Sequence, residues 1–108
     1  MPQDLTYVIG TPSREEWQVV EVSGTYSVLQ GGTVILADST GGAFSVNLPA
    51  AADNLDRVIV VKRMNAGANT ITIDPNGSET IDGVATHPLT TQYDTIMIIS
   101  DGSNWSII

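Results

Sequence analysis

Five acidic, amide and serine side chains lie within residues 74–82 and form the most site-like cluster in the chain. They are Asp74, Asn76, Ser78, Glu79 and Asp82. Calcium prefers ligands of this kind. The spacing does not fit an EF-hand loop, because Gly77 falls at the fourth position of such a loop and Ala85 occupies the twelfth, where a bidentate Glu is needed. A solvated turn is therefore favoured over a metal site, and we predict no metal and no cofactor.

Catalytic residues are also not indicated by the sequence. His87 is the only histidine, and Pro88 after it favours an extended backbone at that position. A catalytic triad needs such a histidine beside an activated nucleophile, and no G-x-S-x-G motif is present. The paired acids Glu15 and Glu16 belong to a short helical turn, with no apolar pocket evident that would raise a pKa. We predict a non-enzymatic protein.

Composition excludes several classes of partner. The chain has 12 acidic and 4 basic residues, for a net charge of -8, so it should repel a phosphate backbone and we predict no nucleic-acid partner. Its apolar runs, such as residues 58–61 and 96–99, are far shorter than the roughly 20 residues of a membrane-spanning helix. No secretory signal is visible at the N-terminus, so synthesis in a cytoplasm is expected. The absence of cysteine rules out disulfides.

The elements that must position any site are short strands. Gly, Pro, Thr and Ser punctuate the chain at regular intervals and favour strands and turns over helices. Short strands at this spacing predict a single all-β domain, an antiparallel β-sandwich or jelly-roll. The predicted strands are residues 5–9, 17–22, 25–29, 33–37, 43–48, 57–63, 69–73, 90–100 and 104–108.

Residues 1–23 differ in composition from the rest and predict an N-terminal arm, followed by a β-sandwich domain over residues 24–108. The arm includes one possible helical turn at residues 11–16, with a cap residue, a first-turn proline and two acids. We expect it to attach the chain to a partner or to other copies. The predicted contact residues are Tyr7, Val8, Trp17, Val19 and Val20.

Two of the predicted strands are apolar on both faces, whereas a half-buried strand alternates apolar and polar residues. In residues 57–63, Val58 and Val60 share one face with Lys62, and Ile59 and Val61 share the other. In residues 93–100 the two faces carry Met97 with Ile99, and Ile96 with Ile98. The second face then needs a partner, most simply another copy. The alternative is that the arm around Trp17 or the loop at residues 49–56 covers it.

Three basic residues crowd one strand: Arg57, Lys62 and Arg63. They are either solvated strand ends or the partners of acids across an oligomer interface, where such contacts fix register. Trp105, in a terminal apolar strand, is expected to belong to the core.

The segments TIDPNGSETIDG (Thr72 to Gly83) and QYDTIMIISDGSNWSII (Gln92 to Ile108) resemble a small β-domain of tailed-bacteriophage virion proteins. That domain occurs at the ends of tail fibres and in short fibre or capsid-decoration proteins. The resemblance runs from about Tyr26 to the end and includes no active-site signature. It implies a virion location after assembly in a bacterial cytoplasm, and a homotrimer, since such domains are usually trimeric.

Length favours capsid decoration over a tail fibre, because fibre domains of this type usually end long chains with a shaft. The expected partners are two copies of the chain and the major capsid protein or another virion protein. The alternative is a tail-fibre or tail-tip domain that binds a host receptor carbohydrate through the turns at residues 74–83 and 101–105.

Overall fold

A computed structural model of the protein describes residues 18–29 and 34–108, and it confirms the all-β prediction. These residues form nine strands and one short 3₁₀ turn, Ala51–Asp53. The predicted strand at 5–9 and the helical turn at 11–16 lie outside them. The strands are β1 Val19–Val22, β2 Tyr26–Ser27, β3 Val34–Ala37, β4 Phe44–Asn47, β5 Val58–Arg63, β6 Ile71–Asp74, β7 His87–Leu89, β8 Thr95–Ser100 and β9 Trp105–Ile107.

The first six strands form a coil in which the chain passes alternately between two sheets. β1, β3 and β5 pair in parallel in one sheet, and β2, β4 and β6 pair in parallel in the other. Each strand therefore lies beside the strand two positions earlier in the chain. This is the path of a parallel β-helix, in which each turn of the coil contacts only its neighbours.

The last three strands run backwards and complete the two sheets. β7 pairs antiparallel with β6, β8 pairs antiparallel with β5, and β9 pairs antiparallel with β8. The result is a five-stranded sheet, in the order β1-β3-β5-β8-β9, and a four-stranded sheet, in the order β2-β4-β6-β7.

The prediction of antiparallel sheets is thus correct for the end of the chain and wrong for β1 to β6. A jelly-roll, which is built from antiparallel Greek keys, does not have this path. The physical reason lies in the connections: segments of 3 to 10 residues that cross from one sheet to the other bring the chain back in the same direction, whereas a tight hairpin would reverse it.

One core lies between the two sheets. Burial alternates along the strands, so every second side chain points inward. Ile35, Ile59 and Ile98 enter the core from the five-stranded sheet, and Val46 and Ile73 from the four-stranded one. Trp105, as predicted, belongs to this core and is 1% exposed. The sequence separated the two faces of β5 and β8 without saying which is inward, and the structure places Ile59 with Val61 and Ile96 with Ile98 on the inward side.

A group of polar side chains joins the turns after β3 and β5. The backbone N–H of Ser39 donates to Asn65 Oδ1 at 2.8 Å, and Asn69 Nδ2 donates to the carbonyl of Ser39 at 2.8 Å. Arg63 is fully buried beside them, with its guanidinium donating to the carbonyls of Asn65 at 3.0 Å, Gly67 at 2.7 Å and Leu89 at 3.3 Å. Successive turns of the coil are held together by these bonds.

The prediction that the basic residues of β5 are solvated or meet a partner is therefore wrong for Arg63. It occupies an inward position at the end of the strand, and three backbone carbonyls compensate its charge. Arg57 is half-buried and donates to Asn54 Oδ1 at 3.1 Å and to the carbonyl of Leu29.

Of the predicted arm, the structure describes residues 18–23. Val19–Val22 form β1, which pairs with β3 over its whole length and so belongs to the five-stranded sheet. The boundary between arm and domain at residue 23 otherwise stays a prediction, because residues 1–17 lie outside the described part. Among the described residues no helix is long and apolar enough to cross a membrane.

Candidate functional site: the outer apolar face

The outward side of the five-stranded sheet is mostly apolar, and we name it the outer apolar face. Its members are the side chains of this sheet that alternate with the buried ones, and all are half-buried or exposed. They are Val19, Glu21, Val34, Leu36, Val58, Val60, Lys62, Thr95, Met97, Ile99 and Ser106.

Strand register arranges these side chains in rows across the sheet. Val19 is paired with Val34, Val34 with Val60, and Val60 with Met97, so one row is apolar over four strands. Val19 is 59% exposed and Met97 is 39% exposed at its two ends. Val58 and Ile99 pair in a second apolar row. Contiguous apolar surface of this kind marks an interaction site more often than an ordinary solvated face.

A third row contains the only two charged groups among the described members of this face. Glu21 pairs with Leu36, and Leu36 pairs with Lys62, so an acid and a base flank one leucine. Strands in a sheet lie about 4.8 Å apart, which separates the two charged positions by roughly 10 Å. The Lys62 ammonium lies over the Tyr93 ring, 5.2 Å from its centroid. Such a cation–π contact steadies the lysine on the face.

An open groove of about 440 Å³ lies at the end of this face. It is lined by Glu21, Val22, Ser23, Leu36, Asp38 and Met64. Asp38 accepts a hydrogen bond from the backbone N–H of Thr40 at 2.8 Å, and hydrogen bonding by Thr40 lowers the pKa of this carboxyl. A general acid needs the opposite shift, so Asp38 is unsuited to that role.

Two of the five predicted partner-contact residues lie among the described residues. Val19 is on the outer apolar face. Val20 pairs with Ile35 and points inward, half-buried. The other three, Tyr7, Val8 and Trp17, lie outside the described residues. Their contacts with a partner stay predictions.

The oxygen-rich segment at residues 74–82 is bound into the fold through its own side chains. Asp82 and Gly83, with φ of 50° and 82°, form a two-residue turn between Ile81 and Val84, and Ile81 exchanges backbone hydrogen bonds with Val84 at 2.8 and 2.9 Å. Asp82 Oδ1 accepts the N–H of Ile107 at 3.0 Å. The Glu79 carboxylate accepts the N–H of Ala51 at 3.1 and 3.2 Å. These two acids therefore have structural partners.

No three acidic, His or Cys side chains are grouped as metal ligands in the described part of the chain. His87 pairs with Ile73 on the inward side of the four-stranded sheet and is half-buried. It is the first residue of β7, a strand that the sequence did not predict.

The turn at residues 101–104 lies directly beside the segment at 74–82. Asn104 Oδ1 accepts the N–H of Thr80 at 2.9 Å, and the N–H of Trp105 donates to the carbonyl of Thr80 at 2.9 Å. Asp101 Oδ1 accepts the N–H groups of Ser103 and Asn104, both at 2.8 Å, and these bonds lower the pKa of Asp101. The two turns that were predicted as an alternative carbohydrate site are thus neighbours.

The sequence predicted one part of the face and missed the rest. The period of two along a strand groups Val58, Val60 and Lys62 of β5, and Met97 and Ile99 of β8, on one face each, but it does not say which face is outward. The contribution of β1 and β3 depends on parallel pairing between strands that are 15 residues apart in register, as Val19 and Val34 are. A signal was present, since residues 19–22 and 34–37 both read as apolar four-residue strands, but it carries no information on which strands pair.

No protein-family model matches the chain, and no curated protein matches it.

Proposed function

We propose that the chain is a non-enzymatic structural protein of a tailed-phage virion, a homotrimer that decorates the capsid and stabilises the head. The observation that carries this proposal is the outer apolar face. This face carries a row of four apolar side chains, one from each of four neighbouring strands. Covering it with a partner contributes about 25 cal/mol of binding free energy for each Å² of apolar surface removed from water. A protein that works by assembly has a use for such a surface.

The resemblance of residues 72–83 and 92–108 to virion β-domains supports the location. The TIDG turn and the terminal strand also contact one another, since the N–H of Ile107 donates to Asp82 Oδ1. The two parts of the sequence that carry the resemblance thus form one local unit.

In this proposal trimers sit on the shell, with residues 1–23 laid against the major capsid protein or another virion protein. Tyr7, Val8, Trp17, Val19 and Val20 are the contacts that the sequence predicts, and of these Val19 lies on the outer apolar face whereas Val20 points inward. These apolar contacts, made on the outer surface of the shell, hold the capsid subunits together against the internal pressure of packaged DNA. No step of this mechanism needs a titratable group with a raised pKa.

Heads that lack the protein provide the test. Purified protein added back to such heads should bind in a fixed ratio, appear as three-fold features by electron microscopy and raise the temperature at which the heads open. Removal of residues 1–17 leaves β1 intact and should reduce the bound amount at least tenfold. Full binding of the truncated chain would refute the anchoring role, and density on the tail alone would refute decoration.

The second candidate is a carbohydrate-binding domain at a tail or fibre tip, and one observation favours it. The turns at residues 74–83 and 101–105 lie side by side, joined by Thr80 and Asn104. Trp105 is buried and unable to stack on a sugar. A glycan array with the full chain separates the candidates, because selective binding that is lost in Asn104→Ala would favour the receptor function.

A further inference from the structure

The outer apolar face has an arrangement of charge that depends on its strand order. The chain as a whole carries a net charge of -8 and should repel a second copy. On this face, among the described residues, one acid and one base balance: Glu21 in β1 and Lys62 in β5. They stand in the same row, with Leu36 of β3 between them. A second copy is therefore repelled less at this surface than at the outward side of the four-stranded sheet, where Asp74 is the charged member among the described strand residues.

Symmetry makes this arrangement self-complementary. The relevant axis is parallel to β3 and lies in front of the face. Rotation about this axis does not shift a residue along the strand direction, and it places β1 of one copy opposite β5 of the next. Glu21 then meets Lys62 of the next copy. In the neighbouring row Val19 meets Val60 of the next copy, and both pairs have the same offset because β1, β3 and β5 are parallel and in register. Val34 and Leu36 meet their own equivalents near the axis.

We propose that the outer apolar face binds further copies of this chain about an axis parallel to β3, with Glu21 of one copy paired with Lys62 of the next. This inference rests on the self-association in the proposed function and names the surface and the charge pair that carry it. Apolar contacts supply the affinity, and the charge pair fixes orientation and register, since a reversed orientation places like charges together.

A charge-swap experiment on the full chain tests the pairing. The wild type, Glu21→Lys, Lys62→Glu and the double variant with both changes are compared by sedimentation velocity at low salt over a wide range of concentration. Each single variant places like charges across the interface and should weaken association at least about tenfold. The double variant restores opposite charges between copies and should associate as the wild type does.

Matched controls lie on the other sheet. Asp74→Lys makes the same change of charge as Glu21→Lys, and Thr72→Glu introduces an acid as Lys62→Glu does, both on the outward side of the four-stranded sheet. Neither should alter association. A circular dichroism melt of each variant confirms that the monomer is folded. Equal weakening by Asp74→Lys, or a double variant as weak as the single ones, would overturn the proposed pairing.

Mixing the two single variants reports the symmetry. The Glu21→Lys variant has lysine at both positions 21 and 62, and the Lys62→Glu variant has glutamate at both. Every charge pair between the two different variants is therefore favourable. Full recovery of association on mixing identifies a two-fold axis, so the pairing stands and the homotrimer is refuted. The three-fold ring of a homotrimer keeps one unfavourable contact and should recover in part. No recovery overturns the proposal.

Failure of the inference differs from failure of the proposed function. If the wild type associates but its association does not respond to these charge changes, the interface does not lie on the outer apolar face, while the self-association in the proposed function stands. If it remains monomeric at every concentration and still binds heads, the face belongs to another virion protein, and both the pairing and the homotrimer are refuted while decoration stands.

Discussion

The two sheets of the molecule have similar inward sides and very different outward sides. Inward, both present aliphatic side chains to one core. Outward, the five-stranded sheet presents the apolar row of Val19, Val34, Val60 and Met97, which we call the valine row. The four-stranded sheet presents polar side chains and one proline. These are Ser27, Ser45, Asn47, Thr72, Asp74 and Pro88.

This difference separates what the fold requires from what it leaves open. The strands of the four-stranded sheet alternate apolar and polar residues, as a sheet with one wet side does. The five-stranded sheet has the same inward pattern, so the apolar character of its other side is additional to the needs of folding. Substitutions on the two outward sides should therefore change assembly in different ways and folding little.

The largest expected effect compares two adjacent basic residues on opposite sides of β5. Arg63→Ala removes the buried guanidinium and leaves three carbonyls without their donor, and it should lower the free energy of unfolding by about 3–5 kcal/mol, because each unsatisfied buried acceptor costs about 1–3 kcal/mol. Lys62→Ala, on the outward side, should cost less than about 1 kcal/mol. Urea denaturation of both variants measures this. Similar losses would mean that the inward and outward sides do not differ as described.

Charge introduced into each outward side should have a smaller and different effect. Val60→Lys places an unpaired lysine in the middle of the valine row and should weaken self-association at least about 100-fold, or about 2.7 kcal/mol, because a buried unpaired charge is costly. Thr72→Lys on the polar side should leave association unchanged. Light scattering after size-exclusion chromatography gives both results, and equal association by the two variants would remove the distinction between the surfaces.

The reverse change sharpens the comparison. Ser45 and Thr72 pair across β4 and β6 on the polar side, so a variant with both replaced by Val gains an apolar patch there. We expect this variant to keep its melting temperature and to form larger, less soluble assemblies than the wild type. Unchanged solubility would show that apolar character alone is not what makes the other face adhesive.

The smallest effect is that of pH on the turns. Hydrogen bonds to backbone N–H groups hold the pKa of Asp101 below its ordinary value of 3.8, and Thr40 does the same for Asp38. A carboxyl whose pKa is lower in the folded state than in the unfolded chain stabilises the fold fully when the pH is above the unfolded pKa of 3.8. This stabilisation is lost as the pH falls from 3.8 through the lower folded pKa. Melting temperatures between pH 5 and about 2 should fall less in Asp101→Asn than in wild type. A parallel fall would exclude this contribution.

Much of the local structure followed from the sequence. The predicted strands at 25–29, 33–37, 43–48, 57–63 and 104–108 contain β2 to β5 and β9, and the one at 69–73 contains all of β6 except Asp74, because glycine, proline and asparagine mark the turns between them. β7 was missed because Pro88 lies at its centre, and proline argues against a strand except at a sheet edge. β7 is such an edge in the four-stranded sheet.

The pairing of strands did not follow from the sequence, since short apolar strands are alike as pairing partners. Arg63 shows the same limit for a side chain. Its position in the alternation of β5 matches the buried Ile59 and Val61, but the carbonyls that receive its guanidinium come from Asn65, Gly67 and Leu89. Two belong to the next turn and one to a strand 26 residues away, and only the folded chain places them together.

The two ends of the coil are not equivalent. At one end β7, β8 and β9 reverse direction and close the structure, and Ile81 bridges to Trp105 at the outer edge of β9. At the other end the described sheets finish on β1 and β2, which are edge strands and pair in parallel with β3 and β4. A designed strand that is laid parallel to β1 or β2 at these edges would therefore add a further rung to the coil, whereas the antiparallel strands at the opposite end would accept only a strand of the reverse pattern.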